Sequence, residues 1–138
     1  MKKFFLTKDT VKAEQLPRGL HHWLSRADVT GSKQLVTVRV EVEPGNGHPF
    51  HRHPNMEEII YVLSGKAEQW LEEESRILNK DEAVFIPENM VHATYNAGDE
   101  PLVFLAILSP AADLDEDGMV DVSDEEPWCD LKTVLSTK

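Results

Sequence analysis

In residues 34–43, QLVTVRVEVE, four valines (36, 38, 40 and 42) alternate with Thr37, Arg39, Glu41 and Glu43. A period of two belongs to a strand with one face buried and the other in water, and helical spacing appears nowhere in the chain at comparable strength. Other strand-like pieces are KFFL near the start, LHHWL (20–24), EIIYVL (58–63), AEQWLEEE (67–74), RIL (76–78), AVFIP (83–87), VHATYN (91–96) and PLVFLAIL (101–108). Turn-forming residues separate them: Pro44-Gly45-Asn46-Gly47, Ser64-Gly65, Asn79-Lys80-Asp81, Glu88-Asn89 and Asn96-Ala97-Gly98-Asp99. Many short strands at this spacing predict an all-β sandwich or barrel, because antiparallel closure removes exposed strand edges.

A chain of 138 residues with 41 % hydrophobic content can close one core. Its formal net charge of −11 repels phosphate backbones and anionic lipid, which argues against nucleic-acid and membrane partners and for a small-molecule ligand. The opening MKKFFLTK has only three consecutive apolar residues, too few for a secretory segment, and no later run is long enough to span a bilayer. The expectation is a soluble cytoplasmic protein. The single cysteine, Cys129, fits a reducing compartment.

PLVFLAIL is apolar on both of its alternating faces, so the face turned away from the core needs a cover. A second copy is the economical one, and a homodimer is predicted. From Ala111 to Leu131 there are nine acidic residues, no lysine or arginine, and little periodicity. This divides the chain into a barrel over 1–110, including its N-terminal strands, and an acidic C-terminal tail over 111–138. The tail would be packed on the barrel or extend from it, and its composition reads as solvated.

Three of the six histidines, His48, His51 and His53, fall within six positions. His51 and His53 are two apart, so a strand aims both imidazoles to one face and Arg52 to the other. Glu58 is five further on, an odd separation. Pro54-Asn55-Met56 must therefore turn the chain before a new strand can aim that carboxylate back. His92, after the Ile86-Pro87 turn, opens another strand and can close the cluster from the opposite side. Three neutral imidazoles and a carboxylate bind a first-row divalent ion, and an octahedral site leaves about two positions open. Glu57 competes with Glu58 for the carboxylate role. His21, His22 and His48 read as ordinary hydrogen-bonded or exposed residues.

The pattern Gly45-(x)5-His51-x-His53-(x)4-Glu58-(x)6-Gly65 resembles the first cupin motif at every position. The pattern Asp81-(x)5-Pro87-x-Asn89-(x)2-His92-(x)3-Asn96 resembles the second except at two glycines, replaced here by Asp81 and Asn89. The resemblance spans most of 36–108 and implies a double-stranded β-helix, a jelly-roll cupin barrel of the RmlC-like kind. It also implies one divalent transition metal (Fe, Mn, Ni, Co or Zn) held by His51, His53, Glu58 and His92. Asn and Asp tolerate left-handed backbone better than other non-glycine residues, so both turns can survive the exchange.

Residues 113–124, DLDEDGMVDVSD, raise a second metal signal. Asp113, Asp115, Asp117, Gly118, Asp121 and Asp124 match positions 1, 3, 5, 6, 9 and 12 of a Ca2+ loop. Flanking helices are not evident, and an ordinary acidic tail is the competing explanation.

Cupin barrels carry many functions. The resemblance implies a metal-dependent small-molecule enzyme with dioxygenase, isomerase or lyase-like chemistry. The alternative is a non-catalytic metal-bearing binding or sensor protein, which would lack a titratable group beside the open metal positions. No catalytic residue is identified; Tyr61, His22 and Glu57 have suitable chemistry, and Trp70, Phe85, Met56 and Met90 could line a pocket. The sequence leaves the substrate and reaction unnamed.

Overall fold

The computed structural model describes residues 2–111 and 118–132. Among them the strands are β1 (Ala13–Leu16), β2 (Gly19–Ser25), β3 (Val36–Val42), β4 (Gly47–Arg52), β5 (Glu57–Ser64), β6 (Ala67–Leu71), β7 (Glu74–Leu78), β8 (Ala83–Ile86), β9 (His92–Asn96), β10 (Leu102–Ser109) and β11 (Val120–Asp121). One short helix, α1 (Ala27–Thr30), follows β2. A large antiparallel sheet runs in the order β1-β2-β3-β10-β5-β8, and a smaller one runs β11-β4-β9-β6-β7. From β3 to β10 the chain crosses repeatedly between the two sheets, as a double-stranded β-helix does.

The alternation in β3 does what its period requires. Val36, Val38, Val40 and Val42 are buried between the sheets, where they meet Met56, Ile60, Val62, Ile86, Phe104 and Leu108. The turns that reverse the chain are set by residues able to take positive φ. Asp81 (φ 70°) and Asn89 (φ 66°), the two exceptions to the motif glycines, are both left-handed, and each is also held by its side chain. Asp81 Oδ1 accepts from the Tyr61 hydroxyl (3.1 Å), and Asn89 Oδ1 accepts from Arg52 Nη1 (2.7 Å). Gly65 (φ 84°) is required twice over, since a Cβ there would lie 2.7 Å from the Pro101 carbonyl oxygen.

Two sequence expectations need correction, and one strand was not expected. KFFL is not a strand: Phe4 and Phe5 are 78 % and 97 % exposed, because three apolar residues in a row carry no period to bury. The expected strand over 67–74 breaks at Glu72 (φ 53°), and a two-residue turn starts β7 at Glu74. Strand β1 was hidden in the polar run AEQL, which pairs at the sheet edge with β2.

Residues 118–132 lie on the barrel. Strand β11 pairs with β4, placing Val120 opposite Arg52 and Asp121 opposite His51. Val122 is buried in a second apolar cluster with Phe50, Val91, Ala93 and Tyr95, joined by Trp70, Trp128 and Leu131. The acidic segment thus covers the outer face of the small sheet through its few apolar residues. The calcium-loop expectation falls largely outside the described residues; of its positions, Asp121 Oδ1 accepts from the Ser123 backbone N–H and hydroxyl.

On the outer face of the large sheet, Ile107 pairs with Ile59 and Ile59 with Phe85 in one cross-strand row. Ile59 and Phe85 are 41 % and 51 % exposed. No helix among the described residues is long and apolar enough to cross a membrane.

Candidate metal centre

Three strands and the turn that joins two of them bring four side chains to one point. His51 in β4 pairs directly with His92 at the start of β9, so the small sheet supplies two imidazoles side by side. His53 follows β4, and its carbonyl accepts the backbone N–H of Met56 (3.3 Å) and of Asn89 (2.9 Å), which fixes the Pro54-Asn55 turn. That turn begins β5 in the large sheet, from which Glu58 points inward; Glu58 is buried and Glu57 exposed. The odd separation between His53 and Glu58 is resolved as the sequence required, by a chain reversal between them.

One nitrogen from each of His51, His53 and His92 falls within a sphere where all lie no more than 4.8 Å apart. Ring centroids are 4.2 Å apart for His51 and His92, 5.0 Å for His51 and His53, and 5.3 Å for His53 and His92. Glu58 Oε1 is 3.1 Å from His92 Nε2 and 3.4 Å from His53 Nε2. The former two atoms, close as they are, have no hydrogen-bond partner and are buried.

The second nitrogen of each ring explains the orientation. His51 Nδ1 bonds the Pro49 carbonyl (2.7 Å) and His92 Nδ1 the Met90 carbonyl (3.0 Å), each two residues back along its own chain. His53 Nδ1 bonds the carbonyl of Gly118, from the C-terminal segment. A carbonyl can only accept, so each Nδ1 carries a proton, and in the neutral ring it is Nε2 that keeps the lone pair.

Burial, together with the positive charge that His92, His53 and His48 would carry, holds the His51 imidazole well below its usual pKa against the opposing Pro49 bond. Burial lowers His53 as well, although the Glu58 carboxylate opposes the shift. Neutral rings with free Nε2 lone pairs, beside a carboxylate oxygen without a hydrogen bond, are what a divalent cation needs. The donor set fits the metal that the sequence resemblance implies.

His51, His53 and Glu58 of the cluster line a small cleft of about 40 Å3. Its apolar wall is Trp23, Val38, Val40, Ala106 and Leu108, and its polar rim holds Arg18, His21 and His48 with Met119. None of Tyr61, His22, Glu57, Trp70, Phe85, Met56 or Met90 lines it. The Tyr61 hydroxyl bonds Asp81 at the surface, and β2 turns His22 to the face opposite His21. Met56 and Met90 belong to the main core, and Trp70 packs edge-on against Phe50 on the far side of the small sheet.

His21 and His48, which read as ordinary histidines, are stacked rings 5.5 Å apart and 3° from parallel. A register shift between His48 and His51 puts both on the cleft side despite their odd spacing. No sequence signal marks that bulge.

The sequence pattern of the cupin domain family matches residues 38–108, from inside β3 to the end of β10. This chain is a cupin. It is 37 % identical over 97 residues to the oxalate decarboxylase OxdC of Bacillus subtilis, an alignment covering 67 % of this chain and 24 % of that one. The cupin chain therefore spans about a quarter of that relative's length. In structure it is similar to KdgF from Halomonas sp., with a TM-score of 0.71, 22 % identity, and coverage of 80 % of this chain and 97 % of the other. It is also similar to the B. subtilis oxalate decarboxylase studied for its Mn(II) centres, with a TM-score of 0.69, 28 % identity, and coverage of 84 % and 31 %.

Proposed function

We propose that this cupin is a metal-dependent enzyme acting on a small molecule, with one divalent transition ion held by His51, His53, Glu58 and His92. The observation that carries the reading is the pairing of each Nδ1 with a backbone carbonyl, which leaves three lone pairs and Glu58 Oε1 aimed at a common point. When bound, the ion would act as a Lewis acid or activate oxygen at its open positions. The likeness to an oxalate decarboxylase with Mn(II) centres supports a divalent metal and a small ligand.

The chain's own residues supply the rest. Trp23, Val38, Val40, Ala106 and Leu108 exclude water from one side of the cleft. His48, with Nε2 buried and unpartnered, stands beside the cluster as a group able to donate to or accept from a ligand. A titratable side chain in that position favours turnover over passive binding.

Elemental analysis of protein purified without an affinity tag tests the reading. About one transition metal per chain in the wild type and none in the His51→Ala/His92→Ala variant is the expected result. Protein that stays empty after incubation with iron, manganese, nickel, cobalt and zinc salts would sink it.

The Ile107, Ile59 and Phe85 row supports a second copy of the chain as the cover for the large sheet. The homodimer belongs to the same proposal.

A further inference from the structure

The charges of this acidic chain are sorted along it. Eight of its 14 lysines and arginines, but only three of its 25 acidic residues, lie within the first 39 positions. In the same stretch a loop displays two adjacent aromatic side chains, and both of its ends are held. The Lys3 backbone N–H donates to the Val29 carbonyl (3.0 Å) and Lys2 Nζ to that of Ala27 (3.0 Å). On the other side the Thr10 and Val11 N–H groups close a turn on the Thr7 carbonyl (3.1 Å each), and Val11 is buried. Between these anchors Phe4 and Phe5 stand largely in water, flanked by Lys2, Lys3 and Lys8. The backbone is already ordered, so a surface that covers the two rings gains their apolar area at little further cost in chain entropy.

A complementary surface lies at the opposite edge of the large sheet. Strand β1 forms one edge of that sheet and β8 the other, while β7 is an edge of the small sheet. The two sheets part between β7 and β8, leaving a groove of about 370 Å3 whose apolar lining is Leu71, Leu78, Ala83, Val84 and Phe85. Glu72, Glu73, Glu74, Asp81 and Glu82, all exposed, flank these strands. Against them stand Lys80 and Arg76, and Arg76 is itself 3.8 Å from Glu74. The groove is apolar within and negative at its rim; the loop is apolar at its tip and positive at its flanks.

We infer that the groove between β7 and β8 takes the Phe4-Phe5 loop of a second copy of this chain. Six strands spaced as in any sheet put the β1 and β8 edges about 20 Å apart, so the loop does not fill the groove of its own chain. The contact also closes on itself. With two large sheets packed face to face, a two-fold axis along the strands sets the β1 edge of each copy over the β8 edge of the other. Both loops are then seated at once and no open polymer forms. The same packing covers Ile107, Ile59 and Phe85. The inference rests on the homodimer reading and adds to it the segment that clasps the pair. An anionic bilayer would attract the loop but repel the rest of the chain, which carries 22 of the acidic residues, so the second copy is favoured.

Sedimentation equilibrium of the full chain tests this. The wild type runs as a dimer. Phe4→Ser/Phe5→Ser raises the dimer dissociation constant about tenfold or more, with an unchanged circular dichroism spectrum because both rings are exposed in the single chain. In a Cys129→Ser background, Phe5→Cys/Ala83→Cys oxidises to a covalent dimer and neither single cysteine does so. A Phe4→Ser/Phe5→Ser dimer as tight as the wild type, or a double-cysteine chain that forms no covalent link, overturns the loop docking and leaves a face-to-face homodimer standing. A wild type that is monomeric at every concentration sinks the homodimer reading and the clasp with it. Wild-type protein carried down by phosphatidylserine vesicles, with that binding lost in Phe4→Ser/Phe5→Ser and dimerisation unchanged, would assign the loop to a bilayer instead.

Discussion

Glu58 Oε1 lies 3.1 Å from His92 Nε2, and neither atom makes a hydrogen bond. Two buried polar atoms this close, yet not aligned with each other, share a third point toward which both are directed. Glu58→Gln keeps the shape and loses the charge. The variant should fold and bind manganese at least as poorly as the loss of an outer-shell partner would make it, a drop of about 10–100-fold. Competition with a chelator measures it, and an unchanged affinity would remove Glu58 from the donor set.

The C-terminal segment should act on metal affinity through His53. Val122→Ala removes two buried methyl groups and should cost about 2 kcal/mol by denaturant midpoint. Val122→Asp places a charge in the same apolar cluster and should detach the segment, taking the Gly118 carbonyl away from His53 Nδ1. Manganese affinity should then fall by about 10–100-fold in the Asp variant and little in the Ala variant. Equal affinities in both would separate this segment from the metal centre.

Asn89 tests the left-handed turn. Asn89→Ala should lower stability by about 1–2 kcal/mol at an unchanged denaturant slope, because alanine is strained at φ 66°. Asn89→Gly relieves the backbone and loses only the bond from Arg52, so its loss should be the smaller of the two. A glycine variant less stable than the alanine variant would show that left-handed strain at this turn is not what limits alanine.

Metal-free protein should lose stability on mild acidification. Burial holds the His51 and His48 imidazoles well below the usual value of 6.5, with the charges of neighbouring histidines adding in both cases, and that of Arg18 adding at His48. Below pH about 6.5 the unfolded chain therefore binds protons that the folded chain does not. Stability is full above that pH and declines as pH falls through it. Melting temperatures between pH 7.5 and 5.5 check this; a flat or rising trend toward acid would contradict it, and His48→Gln should shallow the decline.

The sheet-face proposal predicts a sedimentation result. Wild-type protein should run as a dimer, and Ile59→Glu/Phe85→Glu as a monomer with the same circular dichroism. Both side chains are largely exposed in the single chain, so their replacement should not unfold it. A wild type that sediments as a monomer would leave the row uncovered.

The barrel was legible because its signals are local. Alternating valines in β3, turn residues between strands and a two-residue spacing of histidines each act within a few positions, and each is realised. Even the two missing glycines were readable, since Asp81 and Asn89 do what glycine would. The cleft rim was not legible. Arg18 sits in a tight turn of a strand too polar to recognise, and His48 reaches the cleft only through a bulge with no sequence mark. Met119 and the Gly118 carbonyl come from a segment whose acidic composition masks the apolar contacts of Val122, Trp128 and Leu131.

The three Nδ1 bonds differ in how much chain they enclose. Those of His51 and His92 span two residues, whereas that of His53 spans 65. Closing so long a loop carries an entropy that one hydrogen bond cannot offset, so it must be met by the apolar docking around Val122. Two donors are thus aimed by contacts local to them in the chain, and the third by a distant part of the chain. The aim of one donor in three therefore depends on whether the C-terminal segment is docked on the barrel.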